Sequence, residues 1–230
     1  MAPIHFKKVS SAVELEEVYR LRYKVYCEER GFEKPEDHPD GLEIDAFDRH
    51  SVHFGAFNEM GELIGTARII LNSGDGFPLE KNCVLSSDVS LIERERLGEI
   101  SRLALKKEYR RRAEDNFIYN DQGDAPPEFH SVPNDRRNRH EIVIGLYKLI
   151  YIESRKRGLT HWYTVMAKGL YLLLKRMGIF FQPIGPTIEY HGQRTPYLGG
   201  IEDIEAAVAS VNPALFHEAT EELGRTQVKE

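Results

Sequence analysis

Three arginines and four acids are the residues of this chain whose placement points to chemistry. Arg22 falls in the apolar stripe of a segment with 3.6-residue periodicity, flanked by Val18, Val25 and Tyr26, where the pattern wants an apolar side chain. One reading is a snorkelling arginine whose stem packs while its head reaches water. The other is a guanidinium facing a pocket, its fork holding a carboxylate or a polar substrate group. Arg68 interrupts the run Leu63–Leu71 in a similar way, on one face with Ile64 and Ile70. The run Leu97–Leu105 is apolar at both ends but reads Glu-Ile-Ser-Arg in its middle. As a strand it would put Glu99 and Ser101 on one face with Leu97, Leu103 and Leu105, and Arg102 on the other beside Ile100 and Ala104. Such a strand lines a cleft, or else is an edge strand with one solvated face.

A buried charge is costly unless it is paired. The partners on offer for Arg22, Arg68 and Arg102 are Glu43, Asp45, Asp48 and Glu99. Set in a pocket, one network of these residues would position an amine nucleophile and accept its proton. As an ion-pair cluster alone, it would serve only the fold. Apolar flanks such as Leu97 and Leu103 would raise the carboxyl pKa of Glu99, as a base working near neutral pH requires.

Other chemistries find little support. The nine histidines are scattered, and His50 and His53, three apart, sit at a predicted loop-to-strand entry without a matching ligand set. No His-Glu-x-x-His, P-loop or Gly-x-Gly-x-x-Gly occurs, and no nucleophile-elbow pattern frames a serine. The expectation is a site without a metal and without a permanently bound cofactor.

The elements that must position these residues follow from periodicity. Ser11 and Glu14 stand at capping-box spacing, so a helix is expected from Ser11 to about Arg30, ended by Gly31 and the Pro35–Gly41 stretch. Strands are expected at Val52–Phe57, Leu63–Leu71 and Leu97–Leu105, the first two joined at hairpin length. The charged, proline-bearing segment Lys106 to Arg139 is too long for an ordinary loop and reads as an insertion. Helix His140–Arg157, strand Thr160–Met166, helix Gly169–Met177 and strands Ile179–Ile184 and Ile188–Leu198 follow. The tail from Ile201 reads as helical, broken at Pro213. Adjacent strands imply antiparallel pairs and strand–helix–strand steps imply crossovers, so an α+β fold with a mixed sheet is expected.

Bulk properties agree. At 230 residues the chain suits one large domain over 1–230. It is 41% hydrophobic, 10% aromatic and 30% charged, a globular composition. Lys+Arg 31 against Asp+Glu 37 gives net −6, which argues against a general nucleic-acid binder. Cys27 and Cys83 are too few for a disulfide framework, no apolar run suits a membrane span, and MAPIHFKK lacks a signal-peptide core. The expectation is a cytoplasmic protein without an integral membrane segment.

Five motifs in order resemble one family. They are Arg20-Leu-Arg-Tyr-Lys-Val-Tyr26, Glu29-Arg-Gly-Phe32, Glu43-Ile-Asp-Ala-Phe-Asp48, Gly65-Thr-Ala-Arg68 and Gly98-Glu-Ile-Ser-Arg102. Together they look like the motifs of acyl-homoserine-lactone (autoinducer) synthases, a group that includes N-acyl amino acid synthases and the acyltransferases of PEP-CTERM/exosortase systems. His191-Gly-Gln-Arg-Thr-Pro-Tyr197 is similar to a C-terminal signature of the last kind. The resemblance covers about residues 10–200 and implies a GNAT-type fold, a mixed, twisted sheet splayed between its fourth and fifth strands. It also implies transfer of an acyl chain from the phosphopantetheine arm of acyl carrier protein to an amine. Arg22, Tyr26, Phe32, Asp45, Asp48, Arg68, Glu99 and Arg102 match the family's functional positions. Tyr26 and Phe32 depart from it, because autoinducer synthases more often carry phenylalanine and tryptophan there.

The donor is read from the end of the strand at Ser101. Coenzyme A users cradle the pyrophosphate with a glycine-rich turn feeding a helix. Here the strand runs into Lys106-Lys-Glu-Tyr-Arg-Arg-Arg112 with no glycine until Gly123. That run suits an acidic carrier protein steered by charge, with Arg110, Arg111 and Arg112 as its docking residues. The reading is an acyl-carrier-protein-dependent N-acyltransferase acting on a small amine. Arg22, Asp45, Asp48 and Arg68 would hold the amine, with Arg102 closing the ion-pair network. Glu99, or Glu43 through a water, would be the base, and strand amides near Ser101–Leu103 would meet the oxyanion. A coenzyme-A-dependent acetyltransferase and a non-catalytic acyl- or carrier-binding module are the alternatives.

Overall fold

The chain opens with a strand that hydropathy hides. In β1 (His5–Val9), HFKKV, only Val9 is buried, and the strand is held by antiparallel pairing with β2 (Ser51–Phe57). The structure, a computed structural model, describes residues 3–86, 89–109 and 133–227. Ser11 caps α1 (Ala12–Tyr23), its hydroxyl accepting from the Glu14 N–H at 3.3 Å, while the Glu14 carboxylate pairs with Lys7. The helix does not run regularly to Arg30: from Lys24 to Glu29 it widens into π-helical turns. Such widenings are rare and concentrate at functional sites.

β3 (Leu63–Leu71) is followed by the short α2 (Pro78–Asn82), which the sequence reading lacks, and by β4 (Leu97–Leu105). α3 (Pro133–Lys156) starts within the segment expected as an insertion, with proline in its first turn, where the missing N–H costs nothing. β5 (His161–Met166) and α4 (Lys168–Arg176) fall within a residue of their expected bounds. The expected strand Ile179–Ile184 shrinks to β6 (Gln182–Pro183). The expected strand Ile188–Leu198 is two, β7 (Ile188–Glu189) and β8 (Gln193–Gly200), because His191 and Gly192 turn the chain at φ 56° and 88°. Pro213 begins α6 (Pro213–Gln227) one residue after α5 (Ile201–Val211) ends.

The described residues form two compact units. The first holds residues 3–70, 101–109 and 133–149. Its strands run β1-β2-β3-β4, with β1 to β3 antiparallel. Phe54, Ile64, Ile69, Ile142, Val143 and Leu146 form its core. A Cβ at Gly145 would lie 2.2 Å from the Phe6 ring, so glycine lets β1 pack against α3.

The second unit holds residues 71–86, 89–100 and 150–227. Its strands run β4-β5-β8-β6, with β7 also on β8. β4 and β5 are parallel, paired from Leu97 opposite His161 to Ile100 opposite Thr164, and the β8 pairings are antiparallel. Trp162 is its largest buried side chain, the indole N–H donating to Ser154 Oγ at 2.9 Å. The sheet is thus mixed, and β4 passes from the second unit (Leu97–Ile100) to the first (Ser101–Leu105). Among the described residues no helix is long and apolar enough to cross a membrane.

Candidate active site

In the first unit the three expected arginines meet Glu43, Asp45 and Asp48, three of the four expected acids. Arg22 is fully buried on α1; its Nε donates to Glu43 Oε2 at 2.5 Å, and Nη1 and Nη2 donate to the two Asp48 oxygens at 2.7 and 3.0 Å. Arg68, buried on β3, forks onto Asp45 through Nη1 and Nη2 at 2.7 and 2.6 Å. The same Nη1 also reaches Asp48 Oδ1 at 2.6 Å, and Nε donates to Ser101 Oγ at 3.0 Å. Arg102 donates to Glu43 Oε1 from Nε (3.0 Å) and Nη2 (2.8 Å), and Nη2 lies 3.1 Å from Glu33 and 3.2 Å from Asp45. Paired forks of this kind are the strong ion pairs, and they satisfy charges that burial would otherwise make prohibitive.

Local chemistry shapes the acidic loop. Asp45 Oδ1 accepts from the Phe47 N–H at 2.9 Å, Asp48 Oδ2 accepts from the Asp45 N–H at 2.8 Å, and the Glu43 N–H donates to the Tyr19 carbonyl at 3.1 Å. Short acidic side chains bonding the backbone a few residues away fix such turns. The loop is thereby strapped to α1 with its carboxylates turned inward.

Arg102 corrects the alternation expected of β4. Its φ is 52°, in the left-handed region, so Ser101 and Arg102, neighbours that a regular strand would send to opposite faces, both reach the cluster. The Tyr26 hydroxyl donates to the Leu103 carbonyl at 2.9 Å, its ring lies 6.2 Å from that of Phe32, and the Arg102 guanidinium stands 5.4 Å from the Tyr26 centroid.

Burial would raise the Glu43 carboxyl, but the charges and hydrogen bonds of Arg22 and Arg102 outweigh it and hold the pKa at about 2. Asp48 is treated likewise: burial is overcome by Arg22 and Arg68, and its pKa is lowered. Burial also works against the charge on Arg22, yet Glu43 and Asp48 raise its pKa further. A carboxylate held near 2 is a weak base, which counts against Glu43 as proton acceptor.

Two cluster residues escape the sequence reading. Glu33, on the Arg102 side, keeps 27% of its side chain exposed, and burial, opposed by Arg102, raises its pKa. Its only sequence signal is its place after Phe32. His53 is not at a loop entry but inside β2, opposite Arg68, buried, with neither ring nitrogen hydrogen-bonded among the described residues. Nε2 lies 3.6 Å from Asp48 Oδ1, and burial, then Arg22, push its pKa down to about 4.

In the second unit Glu99 is 2% exposed, and Oε2 accepts from the Leu79 backbone N–H at 2.9 Å. That anchor comes from the start of α2. The Glu80 carboxylate caps this helix by accepting from the Phe77 N–H at 3.1 Å, and Arg94 holds Glu80 with both Nη atoms at 2.8 and 2.9 Å. Arg110, Arg111 and Arg112 lie outside the described residues. No group of three or more His, Cys, Asp or Glu among the described residues is arranged to hold a metal.

A family model for the acetyltransferase (GNAT) domain matches residues 21–120, which take in Arg22, the acidic loop, Arg68 and Glu99–Leu103. No curated protein matches the chain in sequence. BjaI, a CoA-dependent acyl-homoserine lactone synthase solved with SAM and isopentyl-CoA, matches with a TM-score of 0.60 at 16% identity, over 96% of this chain and 99% of its own. The AHL synthase LasI matches at 0.60 and 16%, over 91% and 96%. FeeM, an N-acyl amino acid synthase from uncultured soil microbes, matches at 0.57 and 13%, over 90% and 95%. The chain therefore has a GNAT fold, in the form it shares with the solved acyl-homoserine lactone synthases and an N-acyl amino acid synthase.

Proposed function

We propose that this protein is an N-acyltransferase that moves a fatty acyl chain from a phosphopantetheine thioester to the amine of an amino acid or related small molecule. The observation that carries the reading is Glu99 on the β4 strand of a GNAT fold, a buried carboxylate gripped by the backbone N–H of Leu79. An amine attacks a thioester only as its free base, and a carboxylate shielded from water is suited to take the proton it sheds. We assign that role to Glu99 over Glu43, whose two arginines hold it ionised. Within the first unit, the cluster that Ser101 and Arg102 join supplies rigid, charged groups for a polar acceptor. Tyr26 and Phe32 shape the wall beside it, and the strand around Leu103 would meet the pantetheine amides.

Acyl carrier protein is our first choice of donor, docked through Arg110, Arg111 and Arg112, because no glycine cradle for a pyrophosphate follows β4. This choice would place the reaction in the cytoplasm and suits the PEP-CTERM/exosortase kind of acyltransferase. The coenzyme A dependence of BjaI favours the second reading, an acyl-CoA donor. Purified protein is incubated with decanoyl-acyl carrier protein or decanoyl-coenzyme A, the protein amino acids and SAM, following thiol release and N-acylated products by mass spectrometry. The reading expects an amine-dependent product, faster from the carrier protein. A bound acyl chain that is never transferred identifies a non-catalytic binding module instead.

A further inference from the structure

Tyr163 carries a polar atom that the fold leaves unsatisfied. The side chain is fully buried on β5, and its hydroxyl has no hydrogen-bond partner among the described residues. Evolved interiors rarely leave a hydroxyl in that state, because it gives up water without compensation. Where such a cost persists, the group often serves a bound state.

Its place in the sheet says which. Tyr163 is opposite Glu99 in the parallel β4–β5 register. Directly paired residues leave the sheet on the same face. A phenol and a carboxylate on one face of neighbouring strands are groups that a single water can bridge. One segment fixes both side chains: the Phe77 ring stands edge-on to the Tyr163 ring at 5.7 Å, and the Leu79 N–H holds Glu99. Glu80 and Arg94 pair beside that segment, and the Cys83 thiol, pushed up to about 11 by burial and then by Glu99, stays neutral. The phenol stays neutral as well: burial, then Glu80, push it up to about 12, so it is a fixed donor.

We propose that Tyr163 is a positioning residue for the proton transfer, its hydroxyl holding, together with Glu99, the water through which the amine's proton reaches the carboxylate. As the C–N bond forms, the amine gives its proton to that water, and the water gives one of its own to Glu99. The C–S bond then breaks, and the leaving thiolate takes the proton back. Tyr163 keeps its proton throughout, aiming the water's lone pair at the amine. This rests on the reading of Glu99 as the base.

The test compares wild type, Tyr163→Phe and Glu99→Gln with the decanoyl donor and the amine that the wild type turns over. Phenylalanine keeps the ring contact with Phe77 and deletes only the hydroxyl. The expected result for Tyr163→Phe is a kcat about ten- to hundredfold lower, an unchanged donor KM, and an acid limb of the kcat profile moved to higher pH. Its Tm should equal or exceed that of wild type, because an unpaired buried hydroxyl has gone. A wild-type kcat and pH profile in Tyr163→Phe, with Glu99→Gln inactive, overturns the proposal alone. A fully active Glu99→Gln, or a wild type with no turnover, overturns the base reading and this proposal with it. Should Tyr163→Phe unfold, 3-fluorotyrosine at 163, a stronger donor of the same shape, must move the acid limb to lower pH; an unmoved profile overturns the proposal.

Discussion

Arg68 Nε donates to Ser101 Oγ at 3.0 Å, and the residue after Ser101 turns its own guanidinium back onto Glu43. The left-handed backbone of Arg102 makes this possible. A residue with a Cβ pays about 1–2 kcal/mol to sit there, and glycine does not. Arg102→Gly and Arg102→Ala lose the same ion pairs, but only alanine keeps the strain. Urea titration should find the glycine variant more stable by about 1 kcal/mol, the reverse of the order in an ordinary strand. The ordinary order would show that the backbone at 102 is unstrained.

Asp48 is shared by two buried guanidiniums, whereas Glu33 touches Arg102 from the partly exposed side. Removing one partner of a buried pair leaves charge without compensation. Asp48→Ala should cost about 3–5 kcal/mol in chemical denaturation. Glu33→Gln should stay within about 1 kcal/mol. Equal losses would mean that the cluster is not graded by burial.

His53 gives the fold a pH dependence of definite sign. In the unfolded chain an imidazole binds its proton near pH ~6.5, but burial and Arg22 hold the folded one back to about 4. Between those values the unfolded state binds more protons, so stability is full above pH ~6.5 and falls as pH drops toward 4. The whole window is worth on the order of 3 kcal/mol. His53→Phe should flatten this part of the stability–pH curve measured by thermal unfolding; an identical slope in the variant would assign the titration elsewhere.

The sequence disclosed groups whose types clash with their local pattern. Arg22 and Arg68 interrupt apolar periodicities, so their burial and their need for acids were legible, and Glu43, Asp45 and Asp48 were the acids they found. The bounds of β3 and β4 followed from alternation between apolar ends. Partners supplied by the backbone or by distant residues left no trace in pattern. The Leu79 N–H on Glu99 comes from a helix too short to show a period, and Glu33 is one acid in a polar stretch. Nor does alternation foresee the positive φ of Arg102 or the turn at His191, since both depend on what the chain packs against. β1 was missed because two lysines face outward from a strand held mainly by its ladder.

The basic run Arg110, Arg111 and Arg112 serves the donor in our reading. Changing all three to alanine should raise KM for acyl-carrier protein and weaken its salt dependence, since ions screen steering by charge. Turnover of a short acyl-pantetheine mimic should be untouched, and stability should change within about 0.5 kcal/mol. A sharply lower Tm, or equal damage to the mimic reaction, would make the run structural.

Steady-state kinetics of Glu99→Gln bears most directly on the central claim. Glutamine keeps an oxygen for the Leu79 N–H but cannot take a proton at neutral pH. The account predicts a kcat lower by about 100- to 10,000-fold with both carrier-protein and pantetheine donors, at unchanged donor KM and a Tm close to wild type. A variant that keeps wild-type kcat with an amine the wild type acylates would contradict it.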